Sequence, residues 1–124
     1  MHVAVWIVSA VLAVVFLGSG AAKLTMSRER LIATGQTGIA IYPMPVVRFT
    51  AACELLGAVG VVGPWATGIA PVLTPAAAVG LGLVMIGAAY AHTRLHEPRN
   101  VAANAVLFSA CVFVAVARVA MLGS

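Results

Sequence analysis

From His2 to Ala22 the chain runs for 21 residues without a Lys, Arg, Asp or Glu. As a helix at about 1.5 Å per residue, such a run covers about 30 Å, the hydrocarbon thickness of a bilayer. Inside lipid the backbone must satisfy its own hydrogen bonds, so a run of this kind is committed to helix. Three more apolar runs follow: Val46 to Gly63, Pro71 or Val72 to Ala91, and Val101 to Leu122. With 63% apolar residues, 8% charged residues and a mean hydropathy of +1.11, there is too little polar side chain to cover a water-facing domain. The length excludes a multidomain enzyme. The expectation is an all-α membrane protein, an antiparallel four-transmembrane-helix bundle. It forms one domain over residues 1–124, with helices at about 2–22, 46–63, 72–91 and 101–122 and a polar loop at 23–45.

Ser19-Gly20-Ala21-Ala22 could pass for a small-residue cleavage site, which would make the first run a signal peptide. The flanks argue otherwise: only His2 precedes the run, and Lys23, Arg28 and Arg30 come after it. In the loop, Ser27 can cap a short helix opening at Arg28, and Gly35, Gly38, Pro43 and Pro45 interrupt the rest of the segment. Tyr42 is placed at the headgroup level. The second connection, Pro64 to Pro71, is tight and uncharged. The third, His92 to Asn100, is polar.

The net charge of +4 has a membrane explanation. Lys23, Arg28, Arg30, Arg48, Arg94 and Arg99 fall on the side of the first and third connections, and only Arg118 falls on the other. The positive-inside rule then puts the connections in the cytoplasm and both termini outside. Nothing in this distribution calls for nucleic acid. Cys53 and Cys111 lie inside apolar runs without a CxxC pair, so neither a disulfide framework nor disulfide-exchange chemistry is expected. Recurrent small residues, Gly57, Gly60 and Gly63 among them, suit close helix packing within one chain or in a homo-oligomer.

Glu54 is the most informative residue, because a carboxylate within a membrane run is costly and faces a bundle interior or a wet cavity. It lies about 12 Å below the start of its run. Side chains lean toward the N-terminal end of their own helix. Glu54 therefore leans toward the first and third connections, while Lys23 and His92, ending helices of opposite direction, lean inward toward it. Asn104, three residues into the fourth run, leans back to the same side. Lys23, Glu54, His92 and Asn104 are thus expected to converge, with Arg48 close by. Two readings stay open: a buried ion pair of Glu54 with Lys23 or Arg48 that fixes helix register, or a polar pocket for a quinone carbonyl, a lipid head group or a proton relay. His92 and His96, four apart with Glu97 next, have only a loose metal-ligand spacing, and no metal is assigned. Arg118, about 26 Å into the fourth run, is placed at the opposite membrane interface as a snorkelling anchor.

Phe16-Leu17-Gly18-Ser19-Gly20-Ala21-Ala22-Lys23, Glu54-Leu55-Leu56-Gly57-Ala58-Val59-Gly60 and Met85-Ile86-Gly87-Ala88-Ala89-Tyr90-Ala91-His92, together with Arg118 near the end of the fourth run, resemble the DoxX-like family of small four-span bacterial membrane proteins. The resemblance implies a bacterial cytoplasmic membrane location and the same four-helix fold. It also implies an accessory role in an oxidoreductase assembly, with Lys23, Glu54 and His92 lining a quinone or lipid site next to a redox partner protein. No flavin, haem or nucleotide motif is visible, so a possible quinone is the one cofactor implied. An enzyme using Glu54 and His92 as acid and base, or a proton-coupled transporter dependent on Glu54, are the alternatives.

Overall fold

The computed structural model describes residues 2–122. Met1, Gly123 and Ser124, expected to belong to the same domain, lie outside the described residues. Four long helices account for most of the chain: α1 (His2–Thr25), α3 (Met44–Gly60), α5 (Leu73–Arg94) and α6 (Pro98–Leu122). A short α2 (Arg28–Ala33) and a 3₁₀ helix (Thr37–Ile41) occupy the first connection, and α4 (Gly63–Thr67) prolongs α3 after a break at Val61 and Val62. Each long segment, with α3 and α4 taken together, is long and apolar enough to cross a membrane.

The helices alternate in direction and close a ring. α1 packs on α3, α3 on α5, α5 most extensively on α6, and α6 returns to α1. Leu12, Phe16, Ala58, Val61, Ala78, Leu81, Met85, Cys111 and Val114 fill its axis. Around it Phe49, Leu56, Val59, Leu83, Ile86 and Val116 point outward and are exposed. That apolar exterior is the arrangement of a protein whose solvent is lipid. Close approach depends on missing side chains: a Cβ on Gly57 would come within 2.6 Å of Leu81 Cδ2, and one on Gly20 within 2.9 Å of the Ala51 carbonyl oxygen.

The helix ends differ from the ends of the apolar runs. α1 continues past Lys23 to Thr25 and α5 continues past His92 to Arg94. Polarity marks where the membrane ends, whereas the backbone bonds carry on through the interface. Pro98, expected within the third connection, instead opens α6, a first-turn position where its missing N–H costs nothing. Ser27 caps α2 as expected, its hydroxyl accepting from the Arg30 N–H at 3.3 Å.

The first connection folds back over the bundle. Leu31, Ile39 and Val47 form a second small apolar cluster beneath it. Arg28 donates to the carbonyls of Ile39, Ala40 and Tyr42 at 3.2, 3.4 and 2.7 Å, serving the otherwise open end of the 3₁₀ helix. Gln36 Nε2 reaches Ser19 Oγ of α1 at 3.2 Å, and the Tyr42 hydroxyl donates to the Gly87 carbonyl of α5 at 2.8 Å. Tyr42 therefore ties the loop to α5.

Candidate functional site

Beneath this folded loop lies a cavity of about 650 Å³, within the range of small-molecule sites. Phe16, Val47, Leu83, Met85 and Leu107 give it apolar walls. Lys23, His92 and Asn104 bring polar groups from three different helices, and Gln36, Gly38 and Tyr42 form its cover.

Lys23 reaches Glu54 Oε1 at 2.6 Å. Glu54 has no exposed surface at all and does not line the cavity. It sits behind Lys23, holding the ammonium so that one N–H is bound and two remain for the cavity side. Glu54 Oε2 has no hydrogen-bond partner among the described residues, nor has Asn104 Nδ2, which is also buried. An unpaired buried polar atom costs about 1–3 kcal/mol, so each is an exception within the packing.

His92 is positioned by the way α5 ends. His96 adopts φ +59°, the Glu97 N–H bonds back to the His92 carbonyl at 2.9 Å, and the His96 N–H bonds to that of Thr93 at 3.2 Å. This double reversal is a Schellman ending, and it returns the Glu97 side chain over the last turn. Glu97 Oε1 then meets His92 Nδ1 at 2.7 Å and accepts from Thr37 Oγ1 at 2.9 Å. The hydrogen bonds from His92 first, then Thr37, hold the Glu97 carboxyl below its ordinary range, so it is an anion at neutral pH. A carboxylate at Nδ1 selects the tautomer with the proton there and leaves Nε2 as the free ring nitrogen. Nε2 lies 3.0 Å from where a Cβ on Gly38 would sit, so the cover meets the imidazole through a residue that has no side chain. Burial, then the neighbouring Tyr90, raise the Tyr42 hydroxyl above its usual value, which keeps it a proton donor to Gly87.

Of the residues singled out in the sequence, Lys23, His92 and Asn104 share the cavity wall, and Glu54 supports one of them. Arg48 does not join them. Its guanidinium turns to the end of α1 and donates to the carbonyls of Lys23, Leu24 and Met26, which have no helical partner there. Arg118 also departs from expectation. It does not snorkel outward; it is wholly enclosed, with its guanidinium carbon 4.6 Å from the ring centre of Trp6 and 4.5 Å from that of Trp65. Sequence reasoning misses Thr37, Gly38 and Glu97. Glu97 is visible beside the two histidines, but its spacing suggests a loose ligand set rather than a helix-end clasp.

The DoxX-like family profile matches residues 7–114, which covers α3 and α5 whole, most of α1 and α6, and every residue of the cavity. The chain belongs to the DoxX-like family. With its four apolar spans, this member is a multi-pass membrane protein. No curated protein and no solved structure matches it.

Proposed function

We propose that the cavity binds a quinone-type head group and that the protein serves as an accessory membrane subunit beside a redox partner. The observation that carries this reading is the composition of the cavity. Apolar walls surround polar groups from three helices, the Lys23 ammonium, the Asn104 amide group and the His92 imidazole. Quinone carbonyls are acceptors on a flat apolar ring, and their isoprenoid tails need a lipid-facing exit. The sequence carries no cofactor motif of its own, so electrons reaching such a head group would come through another protein. The excess of Lys and Arg at the first and third connections supports a cytoplasmic mouth for the cavity, in a bacterial inner membrane.

The test is native mass spectrometry and solvent extraction of gently purified protein. Wild type should retain a quinone at near one per chain, and Asn104→Leu, which keeps the volume but removes the amide, should lose most of it. A phospholipid in its place would assign the cavity to a lipid head group, and bare protein in both cases would refute a bound ligand.

A further inference from the structure

The opposite end of the bundle holds a charge that no acidic side chain of the described residues balances. The protein has three acidic residues. Glu54 is paired with Lys23, Glu97 with His92, and Glu29 lies on α2, so all three belong to the end that carries the first and third connections. Arg118 is at the other end, one turn from the end of α6, with no exposed surface. Its guanidinium donates to Met121 Sδ at 3.4 Å, a soft and weak acceptor, while Nε and Nη2 have no hydrogen-bond partner among the described residues. Two indole faces solvate the charge but accept none of those N–H groups in their plane.

Two hydroxyls at this end share the condition. By contrast, Thr25, Thr34, Thr67, Thr93 and Ser109 each bond back to the carbonyl four residues earlier. Ser9 and Thr74 are fully buried, yet neither hydroxyl has any partner among the described residues. Ser9 is one turn beyond Trp6 on the same face of α1. Thr74 and Arg118 are equally far from the α5–α6 turn at His96, which puts them level in an antiparallel pair. Guanidinium and hydroxyl donors both lie at this end, and the one side-chain acceptor recorded for them among the described residues is the weak Met121 Sδ.

Access is through Trp65. It rides on α4, a five-residue helix that touches α3 and α5 only lightly and ends at Gly68, φ +73°, followed by Ala70 at φ +49°. Moving this short turn would uncover the guanidinium at the level where lipid phosphates lie.

We propose that Arg118, with Ser9 and Thr74, forms a second binding site, for a phosphate-type oxyanion, covered by Trp65. A guanidinium presents a planar pair of N–H groups to two oxygens of such a group, and hydroxyls complete its remaining acceptors. The guest is either the phosphodiester of an anionic lipid or a free oxyanion. This site is independent of the quinone reading.

The protein carries its own reporter, because Trp6 and Trp65 are the only two tryptophans in the sequence. Purified protein in maltoside micelles, which contain no phosphate, is titrated with phosphatidylglycerol or, at constant ionic strength, with inorganic phosphate, and tryptophan emission is followed. A saturable change is expected with at least one probe. A response to phosphatidylglycerol alone assigns the site to lipid, and a response to inorganic phosphate as well assigns it to free oxyanion. Arg118→Gln should abolish the change. Arg118→Lys keeps the charge without the fork and should move half-saturation several-fold, which keeps the test sound if the Gln variant does not fold. Flat emission with both probes, or an equal response in Arg118→Lys and wild type, overturns the proposal and leaves the two indoles as the whole environment of the charge.

Discussion

Replacing Lys23 with Met should be among the most damaging single changes in this protein, for reasons the geometry makes quantitative. At 2.6 Å in a medium of effective dielectric about 20, the Lys23–Glu54 attraction is on the order of 6 kcal/mol. Desolvating the two ions costs several kcal/mol each, so the intact pair comes out near neutral against an apolar replacement. Removing only the ammonium leaves a carboxylate with no exposed surface and both oxygens unpartnered. The expected loss is about 3–5 kcal/mol. Glu54→Leu should cost less, since the Lys23 side chain keeps some exposure and can turn to the cavity. The double variant Lys23→Met/Glu54→Leu should recover most of the loss. The assay is unfolding by SDS in mixed micelles followed by far-UV circular dichroism, arranged as a double-mutant cycle. Single changes below about 1 kcal/mol that simply add in the double variant would show that the pair does not bear on the fold, and the reasoning would fail.

Four further outcomes are expected. Glu97 has a folded-state pKa below its ordinary value, so the stabilisation it gives the cover is complete above the normal carboxyl range and lost as pH falls through the folded value; amide protection in Thr37–Ile41, measured relative to the intrinsic exchange rate at each pH, should fall on acidification in wild type and stay constant in Glu97→Gln. Gly57→Ala should cost about 1–3 kcal/mol by overpacking against Leu81, whereas Gly80→Ala, whose Cβ would meet nothing within 4 Å, should be neutral or stabilising in the same unfolding assay. His96→Gly should stabilise by about 0.5–1 kcal/mol, because φ +59° strains a side-chain-bearing residue; a lower melting point would show that the His96 side chain has a contribution of its own. Gly38→Ala should displace the His92 ring and lower quinone retention at unchanged melting temperature, read by the extraction experiment.

The fold is legible in the sequence because apolar runs of membrane length leave a chain few alternatives. The convergence of Lys23, His92 and Asn104 is legible from helix direction alone, since side chains lean toward the start of their own helix and the spans alternate. The pairing of Glu54 is legible only to a choice between two cations. Arg48 lies near the start of α3 and is as well placed in sequence as Lys23, but open carbonyls at the end of α1 compete for it, and helix length past Lys23 cannot be read from polarity. The clasp of Glu97 on His92 depends on a left-handed residue that the sequence does not advertise, His96 standing where glycine is usual. The enclosure of Arg118 depends on Trp6 and Trp65, which are distant in sequence and whose meeting follows from ring closure between α1 and α6.

Charge disposition also narrows what the cavity suits. Both acidic side chains near it are engaged, Glu54 by an ammonium and Glu97 by an imidazole and a hydroxyl. The remaining polar groups on the wall are of both kinds, with two N–H groups of Lys23 to donate and His92 Nε2 and the Gln36 and Asn104 side-chain carbonyls to accept. A cation entering this space would meet a positive group first and would have to break a 2.6 Å ion pair to find its counter-charge. An acceptor meets donors already in place and disrupts nothing. If the cavity instead served cation exchange, Lys23→Met would free Glu54 and enhance cation binding. Under the quinone reading the same substitution removes a donor and lowers retention, so one variant separates the two by the sign of its effect.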